Sequence, residues 1–399
     1  MILAHKIRLY PTKEQEITLQ KSCNVSRFVY NWGLNYWNEQ YQLGNKINFY
    51  EIKKYFNSIK KEQYPFVLEV SKCCVEYSLM NLNSSFQNFF RKTGKHPAFH
   101  KKGRNESFSL SNDKFVIKNN YIKLPKIKNL FKLAEPLRFN GKIMSATISK
   151  KAGNWYISIS IDTNECRKLP KTNQVVGIDL GIKEIATCSN GLQFDNPKWI
   201  KKTEKKLKRK QRQLVKQKKG SKRRERTKIK IQKIYQQITN QRLDYLHKMT
   251  TYLIKTNDVI CLENLNTKGM LKNHKLAKAI SNVSFYEIKK QLEYKSKLYG
   301  KTMLYVGRFF PSSKICSNCG CIKENLTLKD RIFICEDCGF KIDRDINASR
   351  NIVRQAMTEF THWENQNLID YKNVLTNKKI YYISQLDSLN SESNEYFNI

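Results

Sequence analysis

The stretch VVGIDLGIKEIAT (residues 175–187) opens with an apolar, β-branched run into which one acid, Asp179, is set. Such a run reads as a buried strand. An ionised carboxylate is excluded from that environment unless it is paired or bound to a cation. Asp179 is therefore a candidate metal ligand, although its place ahead of Gly181 also suits a turn. The same oddity recurs in DVICLENL (258–265), where Glu263 follows Val259, Ile260, Cys261 and Leu262. A third stretch, DRDINASRNI (343–352), sets Asp343 and Asp345 ahead of a helical pattern, and Asp345 by itself reads equally well as a helix cap. In combination the three say more than each alone. Carboxylates from separate elements can hold two divalent cations ~4 Å apart against a phosphodiester. Oxygen donors of this kind select Mg²⁺ or Mn²⁺.

Charge points to the same class of substrate. The chain of 399 residues carries 74 Lys+Arg against 34 Asp+Glu, a formal net charge of +40. So large an excess repels itself in a compact state unless a polyanion neutralises it, which implies a nucleic-acid partner. The densest block lies between Lys201 and Lys233, with 18 Lys and Arg and two acids, Glu204 and Glu225. Split by Gly220-Ser221, it predicts two helices or a broken helical hairpin. Lys216, Lys218, Lys219, Arg223 and Arg224 are its candidate phosphate contacts, against the plainer reading of a solvated charged face. No segment approaches the ~20 apolar residues of a membrane span, and the first residues lack a signal peptide's apolar centre, so a cytoplasmic, nucleoid-associated protein is expected.

Eleven cysteines, an odd number, argue against a disulfide framework. Four of them form CSNCG and CEDCG, with Cys316 and Cys319 separated from Cys335 and Cys338 by 15 intervening residues. This spacing fits four thiolates around a tetrahedral zinc ion with no open position, hence a structural site. Cys321 is a spare neighbour.

The organisation outward from these motifs is α+β and multidomain. Residues 1–10 read as a strand that Pro11 ends. Two helical stripes follow: Leu19, Cys23, Phe28, Val29, Trp32, Leu34 and Trp37, then Val75, Leu79, Leu82, Phe86, Phe89 and Phe90. Beyond the basic loop KHPAFHKKGR (95–104), FVIKNNYIKL and IMSATISKKAGNWYISISID predict two hairpins, the second with Ile157, Ile159 and Ile161 on its buried face. A small β-barrel completed by the first strand, with the helices inserted, accounts for this order. A linker at 165–174 precedes the domain that VVGIDLGIKEIAT opens. Residues 358–399 change character, with three lysines and six acids, and read as a mobile tail in which NVLTNKKIYYISQL forms a local element at most.

The ordered series HKIRLYPT, RFVYNWGL, HPAFHKKGR, GIDLGIKEIAT, NQRLDYLHK, LENLNTKGML, RFFPSSKICSNCG and CEDCGFKIDRDINASRNI resembles the TnpB family, transposon-encoded RNA-guided nucleases related to type V CRISPR effectors. The resemblance covers residues 5–357. It implies a wedge β-barrel (1–12 and 93–165) holding a helical recognition unit (13–92). A RuvC-like, RNase H-like nuclease domain (171–312 and 340–357) and a zinc-binding insert (313–339) follow from the same likeness. By the resemblance Asp179, Glu263 and Asp345 correspond to the catalytic triad. Cys316, Cys319, Cys335 and Cys338 correspond to the ligands of the target-nucleic-acid-binding insert. A guide RNA encoded at the transposon end, and a double-stranded DNA target beside a short motif, are implied with them. Delegating sequence to base pairing suits a chain that binds polyanions strongly but without selectivity. Three other readings compete. A nuclease-deficient guided repressor is expected to have lost a triad carboxylate, a DNA transposase does not need this guide-binding barrel, and a non-catalytic zinc adaptor leaves Asp179 and Glu263 without a role.

Overall fold

The computed structural model describes residues 2–163, 167–327 and 330–371, which fall into two compact units. One contains residues 2–163 and Gln213–Lys233, and the other contains 167–212 and the residues from Ile234 onward. The segment 213–233, expected within the nuclease domain, thus groups with the first unit.

In the first unit, β1 (Ile2–Tyr10) alternates exposed and buried positions, turning His5, Ile7 and Leu9 inward. Three helices follow: α1 (Lys13–Gln42), α2 (Phe49–Gln63) and α3 (Lys72–Phe90). The first two begin with reciprocal capping boxes, Thr12 with Gln15 and Asn48 with Glu51, which satisfy backbone N–H groups that the first helical turn leaves open. Leu19, Cys23, Val29, Leu34, Val75, Leu79, Leu82 and Phe86 from the expected stripes are buried. Phe89 and Phe90 are exposed instead, and Phe89 meets the ring of His96 edge-on in the basic loop.

Six further strands complete this unit: β2 (Ser107–Ser111), β3 (Val116–Lys118), β4 (Tyr121–Lys123), β5 (Phe131–Leu133), β6 (Lys142–Lys151) and β7 (Asn154–Asp162). They pair with β1 in an antiparallel sheet of order β2-β6-β7-β1-β5-β4-β3. Ile157, Ile159 and Ile161 are buried, opposite Ile7, His5 and Leu3. The ladder ends at β2 and β3 among the described residues, so the expected barrel is a half-barrel. Its β3, β4 and β5 are three residues each.

The second unit is built on a sheet of order β10-β9-β8-β11-β12. Its strands are β8 (Val175–Asp179), β9 (Glu184–Cys188), β10 (Gln193–Asp195), β11 (Val259–Glu263) and β12 (Thr302–Val306). β11 runs parallel to both β8 and β12, whereas β9 is antiparallel to its two neighbours. Parallel strands are covered on both faces, which explains why VICLE is an unbroken apolar run rather than an alternating one. The helices α4 (Trp199–Val215) and α5 (Lys222–Thr256) are separated at Gly220, as expected, and α6 (Thr267–Met270), α7 (Ala277–Val283) and α8 (Phe285–Tyr299) lie between β11 and β12. At the N-terminal end of β11, Asp258 accepts from the backbone of Thr172 and Asn173 and pairs with buried Lys301, anchoring the linker side of the strand.

A hairpin of β13 (Ile332–Ile334) and β14 (Lys341–Asp343) leads into α9 (Arg344–Tyr371). The tail expected to begin at 358 is thus helical as far as Tyr371, and the local element expected at 373–386 lies outside the described residues. No helix among the described residues is long and apolar enough to cross a membrane.

Candidate active site and metal centre

The sheet of the second unit brings two of the predicted acids together. In the parallel pair of β8 and β11, Ile178 lies opposite Leu262, so the next residues, Asp179 and Glu263, stand side by side at the C-terminal strand ends. This is where open α/β sheets place their ligands. The third acid arrives on α9, which packs on β8 at very close range. A Cβ added to Gly177 would lie 2.1 Å from the carbonyl oxygen of Ser349, so only glycine admits the helix here. The helix starts at Arg344, and its N-cap is Asp343, whose Oδ1 accepts from the backbone N–H of Asp345 (2.9 Å) and Ile346 (3.1 Å). Asp343 therefore takes the capping role that the sequence left open for Asp345. Asp345, in the first helical turn, lies near enough for its charge to act on Asp179, although the ligand oxygens of the three acids do not all come within 4.8 Å of one another.

Asp179 registers this company. Burial first, then the charges of Glu263 and Asp345, push its carboxyl up to about 7, against a downward pull from Arg344 and the Leu180 backbone. Arg344 is itself tied to the Thr327 carbonyl (2.9 Å). An all-oxygen donor set that repels itself suits a hard divalent cation such as Mg²⁺ or Mn²⁺. Glu263 has one further partner that the sequence did not suggest, since the Ser312 hydroxyl donates to its Oε1.

The four predicted cysteines meet at a second centre. The sulfurs of Cys316, Cys319, Cys335 and Cys338 all lie within 4.8 Å of one another. Cys316 and Cys338 are 3.7 Å apart and Cys319 and Cys335 3.5 Å, close to the edge of about 3.8 Å expected for a tetrahedron of thiolates at zinc distance. Two matching turns build the cluster: Gly320 N donates to Cys316 O and Gly339 N to Cys335 O, with both glycines in the left-handed region at φ 85° and 70°. The Phe340 backbone and the Asn318 amide hold the Cys338 thiol down to about 6, whereas burial pushes the Cys316 thiol up to about 12. Around the cluster is only a small core of Phe333, Leu326, Phe340 and Ile342. Cys321 donates to Asp337 at 3.1 Å and stands with it beside Cys319. None of the described cysteines is in a disulfide.

Of the candidate phosphate contacts, Lys216, Lys218, Lys219 and Arg223 are exposed. Arg224 is half-buried, and its guanidinium closes the turn through the carbonyls of Leu214 and Gln217.

Three family profiles match the chain: one described as a probable transposase over residues 156–274, a Cas12f1-like TNB domain over 285–352, and a helix-turn-helix domain over 1–46. The last span is folded as one strand and one unbroken helix, α1. Two curated relatives carry the name "Putative RNA-guided DNA endonuclease". One, from Streptomyces pristinaespiralis, is 33% identical over 89% of both chains. The other, InsQ of Escherichia coli K12, is 30% identical over 88% of this chain and 91% of its own. Among solved structures, a CasPhi-2 (Cas12j) complex with crRNA aligns with a TM-score of 0.46 at 9% identity, covering 90% of this chain and 98% of the other. By its identity to relatives along nearly their whole length, the chain belongs to the TnpB family of transposon-encoded RNA-guided DNA endonucleases.

Proposed function

We propose that this protein is an RNA-guided, divalent-metal-dependent DNA endonuclease that cuts DNA complementary to its guide beside a short motif. The observation that carries the reading is the placement of Asp179 and Glu263 at adjacent parallel strand ends, with Asp345 in the first turn of the helix packed on β8. The strand order β10-β9-β8-β11-β12 with β9 reversed supports a RuvC-like, RNase H-like nuclease domain at 171–312 and 340–357. The half-barrel of 1–12 and 93–165 and the helices of 13–92 then serve as wedge and recognition units, and 313–339 as the zinc insert.

Asp179, Glu263 and Asp345 would hold Mg²⁺ or Mn²⁺, which when bound activates water and stabilises the leaving oxygen of the phosphodiester. The protein's own part is to fix the carboxylates before substrate arrives, two on the sheet and one on α9. Its exposed lysines, Lys216, Lys218 and Lys219 with Arg223, hold phosphates without reading sequence, which the guide supplies. Cys316, Cys319, Cys335 and Cys338 would hold structural zinc. A nuclease acting on double-stranded DNA would work in the cytoplasm, associated with the nucleoid.

The test is a purified protein–RNA complex offered a matching DNA flanked by a randomised motif. Cleavage is expected with Mg²⁺ or Mn²⁺ and not with Ca²⁺. Asp179→Ala, Glu263→Ala and Asp345→Ala should each abolish it while RNA and DNA binding survive. A parent complex that binds but never cuts would establish the guided-repressor reading instead.

A further inference from the structure

We infer that Ser312 is a positioning residue for Glu263 and that the four-cysteine cluster sets Ser312 in place, so the zinc insert reaches the catalytic carboxylates as well as nucleic acid. This inference rests on the function proposed above. Ser312 is buried and its hydroxyl donates to Glu263 Oε1. A donor on one oxygen fixes the orientation of a ligating carboxylate, as partners one layer behind a metal commonly do.

What holds Ser312 is a clamp on α9, the helix that also presents Asp345. Asn351, 1% exposed, donates from Nδ2 to the carbonyl of Ser312 (2.8 Å) and to that of Ile315 (2.7 Å). Asn347, 0% exposed, donates to the Ile315 carbonyl (2.7 Å) and accepts from the backbone N–H of Ser317 (2.9 Å). The clamped residues 312–317 include Cys316. At one end the segment is fixed by the cysteine cluster, at the other it touches Glu263, and between them it lies on two asparagines one helical turn apart. Asn347 is bonded through both ends of its amide and Asn351 through Nδ2 alone, its Oδ1 meeting no partner among the described residues; buried amides bridging two carbonyls in this way favour one arrangement of the segments they join.

Mn²⁺ serves as the probe, added to the zinc-loaded full chain and followed by the loss of its free-ion EPR signal. The active-site population is the part that Asp179→Ala removes. Ser312→Ala is expected to weaken that binding about tenfold, whereas Ser312→Thr, which keeps the hydroxyl, stays near the parent. Cleavage by the guided complex should follow, with the Mn²⁺ requirement of Ser312→Ala raised and its rate recovered at high Mn²⁺. A merely structural role for the hydroxyl would leave metal affinity unmoved. Cys319→Ser should weaken Mn²⁺ binding in the presence of Ser312 and add little to Ser312→Ala, since the two would act along one path. Full additivity would cut the link to the cysteine cluster, and parental Mn²⁺ affinity in Ser312→Ala would overturn the inference outright. The serine variants carry the test even where the cysteine variant does not fold. An Asp179→Ala protein that binds Mn²⁺ and cuts like its parent would instead remove the proposed active site, and this inference with it.

Discussion

The cysteine and carboxylate groups of the second unit are assembled in opposite ways. The cysteines come from two turns within a single short insert, and around them lies only the small core of Phe333, Leu326, Phe340 and Ile342. The carboxylates come from residues 179, 263 and 345 and are fixed by a parallel sheet and a helix packed on it, with Val259, Cys261, Val306, Ile352 and Ala356 forming a core of their own. The first site has little core of its own to hold it, whereas the second stands on packed strands and a helix while its acids push the Asp179 carboxyl up. On the proposed reading one cation organises structure, and the other is received by a structure already organised.

Removing zinc should break the comparison most visibly. Hydrogen exchange at the Gly320, Cys335 and Gly339 amides, which are bonded within the cluster's turns, should accelerate as if opening had become easier by on the order of 5 kcal/mol or more, while the amides of β8 and β11 keep their protection. Equal loss in both places would mean that the sheet too depends on zinc. Next comes the close contact that delivers Asp345. Gly177→Ala would set a methyl against the Ser349 backbone, which cannot move like a side-chain tip. A loss of about 3 kcal/mol in denaturant unfolding is expected, together with loss of cleavage. Parental stability in that variant would show that α9 does not depend on this approach.

The same contrast explains what could be read before folding. CxxCG twice at short separation is a local pattern, so the cluster's ligands were visible as letters. Asp179 and Glu263 were visible as acids in apolar strands, but their adjacency depends on a parallel register that no local pattern encodes. Asp345 could not be told from Asp343 until the helix start was known. Ser312 gave no signal, being an ordinary serine after proline. Asn347 and Asn351 did carry one, since two amides at i and i+4 among Ile346, Ala348 and Ile352 occupy a helix face that should be apolar. The hairpins of the half-barrel were legible, yet the order that leaves β2 and β3 at its edges depends on non-local pairing that alternation alone does not fix.

A smaller effect should come from relieving the stored repulsion directly. Because the Asp179 carboxyl is raised to about 7, the stability it contributes is complete at acid pH, below its unfolded value near 3.9, and is lost as pH rises through about 7. Zinc-loaded protein in Mg²⁺-free buffer should accordingly lose stability between pH 5 and 8. Asp179→Asn should flatten that loss and be more stable than the parent at pH 8 by on the order of 2 kcal/mol. Added Mg²⁺ should reverse the order, stabilising the parent more than the variant. Thermal unfolding across this pH range checks it. A variant no more stable than its parent at pH 8 would mean that the acids are not in tension.

The smallest expected effect separates two aspartates that sit two residues apart. Asp343 caps α9 through the N–H groups of Asp345 and Ile346, and Asp345 is, after Glu263, the second acid whose charge raises the Asp179 carboxyl. Asp343→Ala should cost about 1 kcal/mol, the usual value of a cap, and let the first turn of α9 fray. Because Asp345 rides on that turn, cleavage should fall only in part. Asp343→Asn keeps an oxygen that accepts from the same N–H groups, so it should restore both stability and cleavage. Asp345→Asn keeps the helix intact but removes the charge, and it should abolish cleavage with no cost in stability. The two asparagine variants, compared by unfolding and by guided cleavage, thus distinguish a cap from a ligand. Inactive Asp343→Asn beside active Asp345→Asn would exchange the two roles and move the third carboxylate of the site by two residues.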